Sequence, residues 1–179
     1  SSINYGNIGF SNVKSPDMTY KYAIITPAKF SGSVALLHPD YGFISFDAEW
    51  SDYTRGRLTS DDYNFSTENN TAHAIYKDVL NYRIGAELKV KDNYRLRAGY
   101  SLTNNPYKNT TGLTLSDLTR KAISLGAGYT DGQVFVDFAS VITSYTDFYS
   151  PYVLKTGNTP TAKISNTLLN FVVTAGYRF

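Results

Sequence analysis

Apolar and polar residues alternate along most of this chain, and the alternation is clearest at its end. From Leu169 to Phe179 every second residue is apolar, whereas the residues between them are largely small or polar. A period of two places the two sets on opposite faces of a β-strand. A tilted strand of about ten residues is long enough to cross a bilayer. We therefore predict that the chain ends in a long β-strand with unlike faces.

The same period recurs in earlier segments and predicts about eight strands in all. They cover residues 18–26, 28–38, 43–51, 79–90, 94–103, 120–129, 133–145 and 165–179. Pro27 ends the first and weakest of them, because proline has no amide hydrogen to donate to a neighbouring strand. Single-chain outer-membrane barrels of bacteria have an even number of strands. The predicted fold class is all-β: a transmembrane antiparallel up-and-down β-barrel.

Two kinds of connection alternate between these strands. Tight turns are predicted at three aspartates, Asp40, Asp92 and Asp131. The last of them precedes a glycine, and Asp-Gly is typical of a two-residue hairpin turn. Long polar loops are predicted near 54–77, 104–116 and 146–162. In an up-and-down outer-membrane barrel, this order places the tight turns at the periplasmic rim and the long loops at the extracellular rim.

The alternation alone does not show which face points outwards, because a soluble lipocalin-like barrel also alternates, with its apolar residues inside. Strands of membrane-spanning length, aromatic residues near the strand ends and the terminal Phe179 favour lipid outside. A charge facing the lipid midplane would cost about 2–4 kcal/mol, so the charged strand residues are predicted to face the lumen. They are Asp47, Glu49, Arg83, Glu87, Lys89, Arg95, Arg97, Arg120, Asp137 and Arg178.

Composition narrows the possible functions. The chain of 179 residues is predicted to be one domain, with an irregular Asn-, Ser- and Gly-rich segment at 1–17 and barrel strands within 18–179. It has no cysteine, which excludes disulfides and thiolate sites. Its net charge of +2, without a long basic run, argues against binding to nucleic acid.

Catalytic and metal-binding patterns are not recognisable. The two histidines, His38 and His73, have no partner at metal-ligand spacing, and no triad of nucleophile and base can be argued. Asp61 and Asp62 could bind a cation, but a solvated acidic loop is the favoured interpretation. We predict no enzymatic activity, no cofactor and no metal.

Several segments resemble one family of outer-membrane proteins. They are Thr26–Ala35, Tyr76–Glu87, Tyr94–Tyr100 with Asn105-Pro106 after it, Ile123–Tyr129 and Ala175–Phe179. Together they are similar to the C-terminal part of FadL/TodX-type transporters, particularly those of Bacteroidetes. The resemblance implies part of a fourteen-stranded barrel with a hatch in its lumen, which passes long-chain fatty acids or other hydrophobic molecules inward. The hatch and the first strands have no counterpart here, so the chain is expected to be a fragment.

The resemblance and the charged lumen face together favour an outer-membrane channel for hydrophobic small molecules. Lys89, Arg95 and Arg97 would attract a carboxylate headgroup, although pairing across strands is the favoured role of any single charge. The alternatives are a small structural or adhesin-type barrel without transport, and a barrel subunit of a secretion complex. Expected partners are outer-membrane lipids, a hydrophobic ligand and the barrel-assembly machinery, which would engage the strand that ends at Phe179.

Overall fold

The architecture comes from a computed structural model, which describes residues 21–108, 118–152, 154 and 160–179. The strands in these residues are β1 (Ala23–Ile25), β2 (Ala28–His38), β3 (Gly42–Asp52), β4 (Arg57–Thr59), β5 (Asp78–Val90), β6 (Tyr94–Thr103), β7 (Arg120–Thr130), β8 (Val134–Tyr149) and β9 (Ala162–Tyr177). Seven of them form one antiparallel sheet in the order β2-β3-β5-β6-β7-β8-β9. Each long strand therefore pairs with the next one along the chain, as predicted for an up-and-down arrangement.

The main sheet has seven strands, not eight, because the predicted strand at 18–26 does not join it. Of that segment only β1 is described as a strand, and it pairs with β4, where Ile24 lies opposite Leu58. Pro27 separates β1 from β2 and interrupts the hydrogen bonding that would continue the strand. Residues 18–20 and the predicted irregular segment 1–17 lie outside the described residues.

Tight turns and long links alternate as predicted. The turns cover 39–41, 91–93 and 131–133, and the links cover 53–77, 104–119 and 150–161. In the last turn, Asp131 Oδ1 accepts hydrogen bonds from the amides of Gln133 and Val134 at 3.1 and 2.8 Å. Gly42 ends the first turn with a φ of +120°, and a Cβ there would overlap the carbonyl oxygen of Glu87. Because neighbouring strands are antiparallel, all the tight turns lie at one rim.

The first long link contains short elements that the sequence did not predict. They are a 3-10 helix (Tyr53–Arg55), β4 and an α-helix, α1 (Ser66–Ile75). Asn69 joins α1 to β4, since its Oδ1 accepts from the Leu58 amide at 2.8 Å and its Nδ2 donates to the Leu58 carbonyl at 2.9 Å. Among the described residues, no helix is long and apolar enough to cross a membrane.

The apolar face of the sheet is more exposed than its charged face, which is the opposite of the arrangement found in soluble proteins. On one face the apolar side chains are widely exposed, as in Leu88 and Leu96, each 50%. On the other face the neighbouring Glu87 and Arg95 side chains are only 13% and 26% exposed. Within the described part of the chain, Val79 is the only buried apolar residue. A continuous apolar surface of this kind is suited to lipid rather than to water.

The sheet is open across the residues that the structure describes, because β2 and β9 each pair on one side only. Seven antiparallel strands alternate in direction, so β2 and β9 run the same way. Pairing them directly would give a parallel ladder, unlike every other pair in the sheet. Since unpaired amides are costly in lipid, both edges need partner strands in a membrane.

Candidate functional site

The candidate site is the charged face of the sheet. Nine of the ten charged residues predicted to face the lumen lie on strands β3 and β5–β8, and all nine lie on the face opposite the exposed apolar residues; the tenth, Arg178, lies beyond the end of β9. Eight of the nine fall into two clusters separated by a row of small residues, whereas Arg120 lies apart. We call the first group the tight-turn cluster: Glu87, Lys89, Arg95, Arg97 and Asp137. We call the second the long-loop cluster: Asp47, Glu49 and Arg83.

Arg97 is the centre of the tight-turn cluster. It lies directly opposite Glu87 on β5, and its Nε donates to Glu87 Oε2 at 2.7 Å. Its Nη1 donates to Asp137 Oδ1 on β8, although β7 lies between the two strands. One guanidinium therefore joins carboxylates on both sides. Because both carboxylates already accept its hydrogen bonds, Arg97 is the best neutralised cation of this cluster.

Gly128 on β7 leaves the space for this bridge. It lies opposite both Arg95 on β6 and Asp137 on β8. A Cβ at this position would overlap Asp137 Oδ1 and lie 3.3 Å from Arg97 Nη1. The sequence alone does not distinguish this residue, because a glycine on the polar face of a strand looks like any other small residue. Its only signal is its position between charged residues of the neighbouring strands, which becomes visible once the register is known.

Arg95 is the least satisfied cation of the cluster. Its Nε lies 3.7 Å from Glu87 Oε1, a longer separation than the 2.7 Å contact that Arg97 makes with the same carboxylate. Its Nη1 is buried and has no hydrogen-bond partner in the described residues. Lys89, directly opposite Arg95, adds a like charge, and its Nζ donates to the Pro39 carbonyl at 2.5 Å. The two cations therefore leave a local excess of positive charge.

The long-loop cluster is more fully paired. Arg83 Nη1 lies 3.1 Å from Asp47 Oδ1, and Ser33 Oγ donates to the other carboxylate oxygen of Asp47 at 2.5 Å. Glu49 accepts a hydrogen bond from Asn81 Nδ2 at 3.2 Å, and Lys29 Nζ approaches it to 3.9 Å. These contacts fit cross-strand pairing, the role predicted from the sequence for any single charge.

Small residues separate the two clusters. Ser45, Gly85, Gly99 and Ser124 are cross-strand neighbours on β3, β5, β6 and β7. Because these side chains are short or absent, the charged face has a groove of about 710 Å³ at this level. Arg97 and Asp137 border it on one side, and Asp47 and Arg83 border it on the other. The groove places the charged face on the concave side of the sheet.

Two of the charged residues predicted to face the lumen do not join these clusters. The guanidinium carbon of Arg120, near the long-loop end of β7, lies 4.4 Å from the centroid of the Tyr145 ring. Arg178, beyond the end of β9, lies 5.6 Å from the Phe135 ring centroid. Both contacts are cation–π interactions that occupy the side chain without a carboxylate.

Aromatic stacking joins the first two long links, 53–77 and 104–119, at the rim opposite the tight turns. The Tyr76 ring stacks between Tyr53 and Tyr107, with centroids 6.3 and 5.0 Å away. The amide of Lys77 donates to the Pro106 carbonyl, and that of Lys108 donates to Ile75, both at 2.8 Å. The hydrogen bond with Tyr107, with a contribution from burial, raises the pKa of Tyr76 above its usual value of 10.0.

The histidines lie away from the groove. His38, at the end of β2, accepts a hydrogen bond from the Asp40 amide at 3.2 Å and packs against Tyr41. His73 lies on α1. The described residues include no group of three or more His, Cys, Asp or Glu side chains that could hold a metal ion.

Comparison with known proteins identifies the family. Residues 29–175 match the family model described as outer membrane protein transport protein (OMPP1/FadL/TodX). Comparison with curated proteins gave no match. The matched region covers all the tight-turn and long-loop cluster residues and most of the seven-stranded sheet. The family match agrees with the apolar face of the sheet, which is suited to lipid, and it confirms a bacterial outer-membrane location. The chain therefore belongs to the OMPP1/FadL/TodX family of outer-membrane transport proteins.

Proposed function

We propose that the chain forms part of the wall of a passive channel that takes up hydrophobic molecules with an anionic end, long-chain fatty acids in particular. In this proposal the ligand passes without chemical change, so the protein is not an enzyme. The observation that carries the proposal is the buried Nη1 of Arg95, which has no hydrogen-bond partner among the described residues.

An anion is the ligand best suited to this position. A buried donor without a partner costs about 1–3 kcal/mol, and more when it is charged. Arg95 faces Lys89 across the strand pair, so the local charge favours a negative group. A carboxylate can accept two parallel hydrogen bonds from one guanidinium. Arg97 is already bound to Glu87 and Asp137, so we assign it the role of positioning the cluster rather than of binding the ligand.

The hydrocarbon tail would lie along the groove on the charged face. The lining includes Ala122, Ala139 and Val141, and the small residues of the central row leave the wall open there. A tail in this groove would run away from the tight-turn cluster, towards the long-loop cluster. The paired charges of that second cluster would offer it no free cation, so the headgroup would have one preferred position.

The open edges of the sheet bear on the shape of the channel. An antiparallel barrel can close across β2 and β9 only through an odd number of further strands, because these two strands run in the same direction. We propose that such strands complete the barrel and cover the groove. Phe179, which packs edge-to-face on Tyr177 at 5.6 Å, is placed at the tight-turn rim, where the barrel-assembly machinery would recognise it.

Uptake measurements with a charged and an uncharged substrate test the proposal. Arg95→Gln in the full-length protein should raise the half-saturating concentration for labelled palmitate about tenfold, because one charge-assisted hydrogen bond is lost. Uptake of hexadecanol, which has the same chain without the charge, should change little. Arg57→Gln is the matched control, since Arg57 lies on the short strand β4 outside the groove. Equal losses for both substrates, or no loss for palmitate, would reject a carboxylate site at Arg95.

A further inference from the structure

A polar patch lies on the outward face of the last three strands, at their long-loop ends. Lys121 on β7 is opposite Ser144 on β8, which is opposite Thr167 on β9. Ser165 and Lys163 follow on the same face of β9. Because alternate residues of a strand share a face, these positions lie on the same face as the exposed apolar residues Ile123, Ile142 and Leu169. The patch therefore belongs to the face that meets lipid and not to the groove.

Its height on the strands matches the edge of the apolar band. From Val134, at the tight-turn end of β8, ten residues lead to Ser144. At about 3.4 Å per residue and a strand tilt near 40°, this segment rises about 26 Å along the membrane normal. The apolar band of an outer-membrane barrel is about 25 Å tall. Thr167 lies at the same distance from Tyr177 on β9. The patch is thus level with the headgroups of the outer leaflet.

The patch is a groove with a definite chemistry. Lys121 and Lys163 border a depression of about 390 Å³, and Ser144, Ser165 and Thr167 place hydroxyl groups along it. From strand spacing and rise, the Cα atoms of the two lysines are about 16 Å apart, so two extended side chains can converge on one group between them. Ammonium and hydroxyl donors around one groove are suited to a phosphate.

We propose that this groove, which we call the headgroup groove, binds the phosphate-bearing headgroup of a lipid of the outer leaflet. The acyl chains would lie below it on the apolar rows that include Ile123, Ile142 and Leu169. The alternative explanation for the two lysines is that they only extend their ammonium groups into water, as lysines at the rim of a membrane protein often do. Here the hydroxyl-lined groove between them is directly continuous with the lipid-facing surface. The inference rests on the outer-membrane location and does not depend on transport.

Native mass spectrometry of the full-length protein in detergent tests the inference. The probes are diphosphorylated lipid A, its dephosphorylated form, phosphatidylethanolamine and inorganic phosphate. We expect wild-type protein to retain diphosphorylated lipid A, and the double variant Lys121→Gln, Lys163→Gln to bind it at least tenfold more weakly, since a charge-assisted hydrogen bond is lost at each site. The corresponding Lys→Arg double variant should keep the binding, which separates charge from folding.

Lys77→Gln is the matched control. Lys77 is a lysine at the same rim, but the alternation along β5 assigns its position to the charged face and not to the face that carries the headgroup groove. An equal loss in this control, or undiminished binding in the double glutamine variant, would overturn the proposal. Equal retention of the dephosphorylated lipid would overturn the role of phosphate. Inorganic phosphate that displaces the lipid at comparable concentration would show a free-anion site and overturn the lipid assignment.

Discussion

Gly128→Ala should destabilise the barrel, because Arg97 reaches Asp137 beside this residue. The added methyl group would overlap Asp137 Oδ1 and lie 3.3 Å from Arg97 Nη1. Inserting a methyl group into occupied space costs about 1–3 kcal/mol. The disturbed ion pair adds only about 0.5–1 kcal/mol, because water screens side chains that are 42% and 33% exposed. We expect the free energy of unfolding to fall by about 1.5–4 kcal/mol.

Equilibrium urea unfolding of the full-length protein in phospholipid vesicles, followed by electrophoretic mobility, measures this change. Gly32→Ala is the matched control, because a Cβ at this strand glycine would meet no atom within 4 Å. It should leave the stability unchanged or raise it by roughly 0.5 kcal/mol. Adding Asp137→Ala to Gly128→Ala should restore part of the loss, since the overlapped carboxylate is removed. Equal stability of the wild-type and Gly128→Ala proteins would refute the reasoning.

Three further predictions concern the rims. Asn69→Ala removes both hydrogen bonds to Leu58, so limited proteolysis should cut the first long link several times faster, with the sheet intact. Asp131→Ala removes the acceptor of two turn amides and should lower the free energy of unfolding by about 1 kcal/mol in urea titrations. Because the pKa of Tyr76 is raised, its stabilising stack with Tyr107 should be complete below pH 10.0 and lost as the pH rises through the folded value. Protection of this link from protease, compared with Tyr76→Phe, measures that loss.

The positions and faces of the strands were predictable because apolar and polar side chains alternate along each strand, and this alternation can be read directly from the sequence. Charged residues such as Glu87 and Arg97 were assigned to the charged face from this period alone, and the register places them opposite each other. The tight turns were predictable for a similar local reason, since Asp131 and Gly132 carry their own turn chemistry. The strand predicted at 18–26 is present in part as β1, but its weak alternation could not show that β1 pairs with β4 and not with the main sheet; Ile24 lies opposite Leu58, 34 residues later.

The different roles proposed for the three cations of the tight-turn cluster could not be predicted from the sequence. Lys89, Arg95 and Arg97 look alike in the sequence as carboxylate binders. Their difference comes from partners on other strands: Asp137 on β8 neutralises Arg97, whereas Arg95 has only a 3.7 Å contact with a shared carboxylate. The helix α1 was also missed, because residues such as Ser66, Thr67 and Asn69 have low helix propensity and a contact with β4 stabilises the helix.

The most direct test of the proposed function is a structure of the full-length protein bound to a long-chain fatty acid. We predict that the carboxylate lies within hydrogen-bond distance of Arg95 Nη1, with the hydrocarbon tail along the row of Ser45, Gly85, Gly99 and Ser124. A fatty acid bound elsewhere in the lumen, with Arg95 Nη1 paired to a carboxylate of another strand, would contradict it.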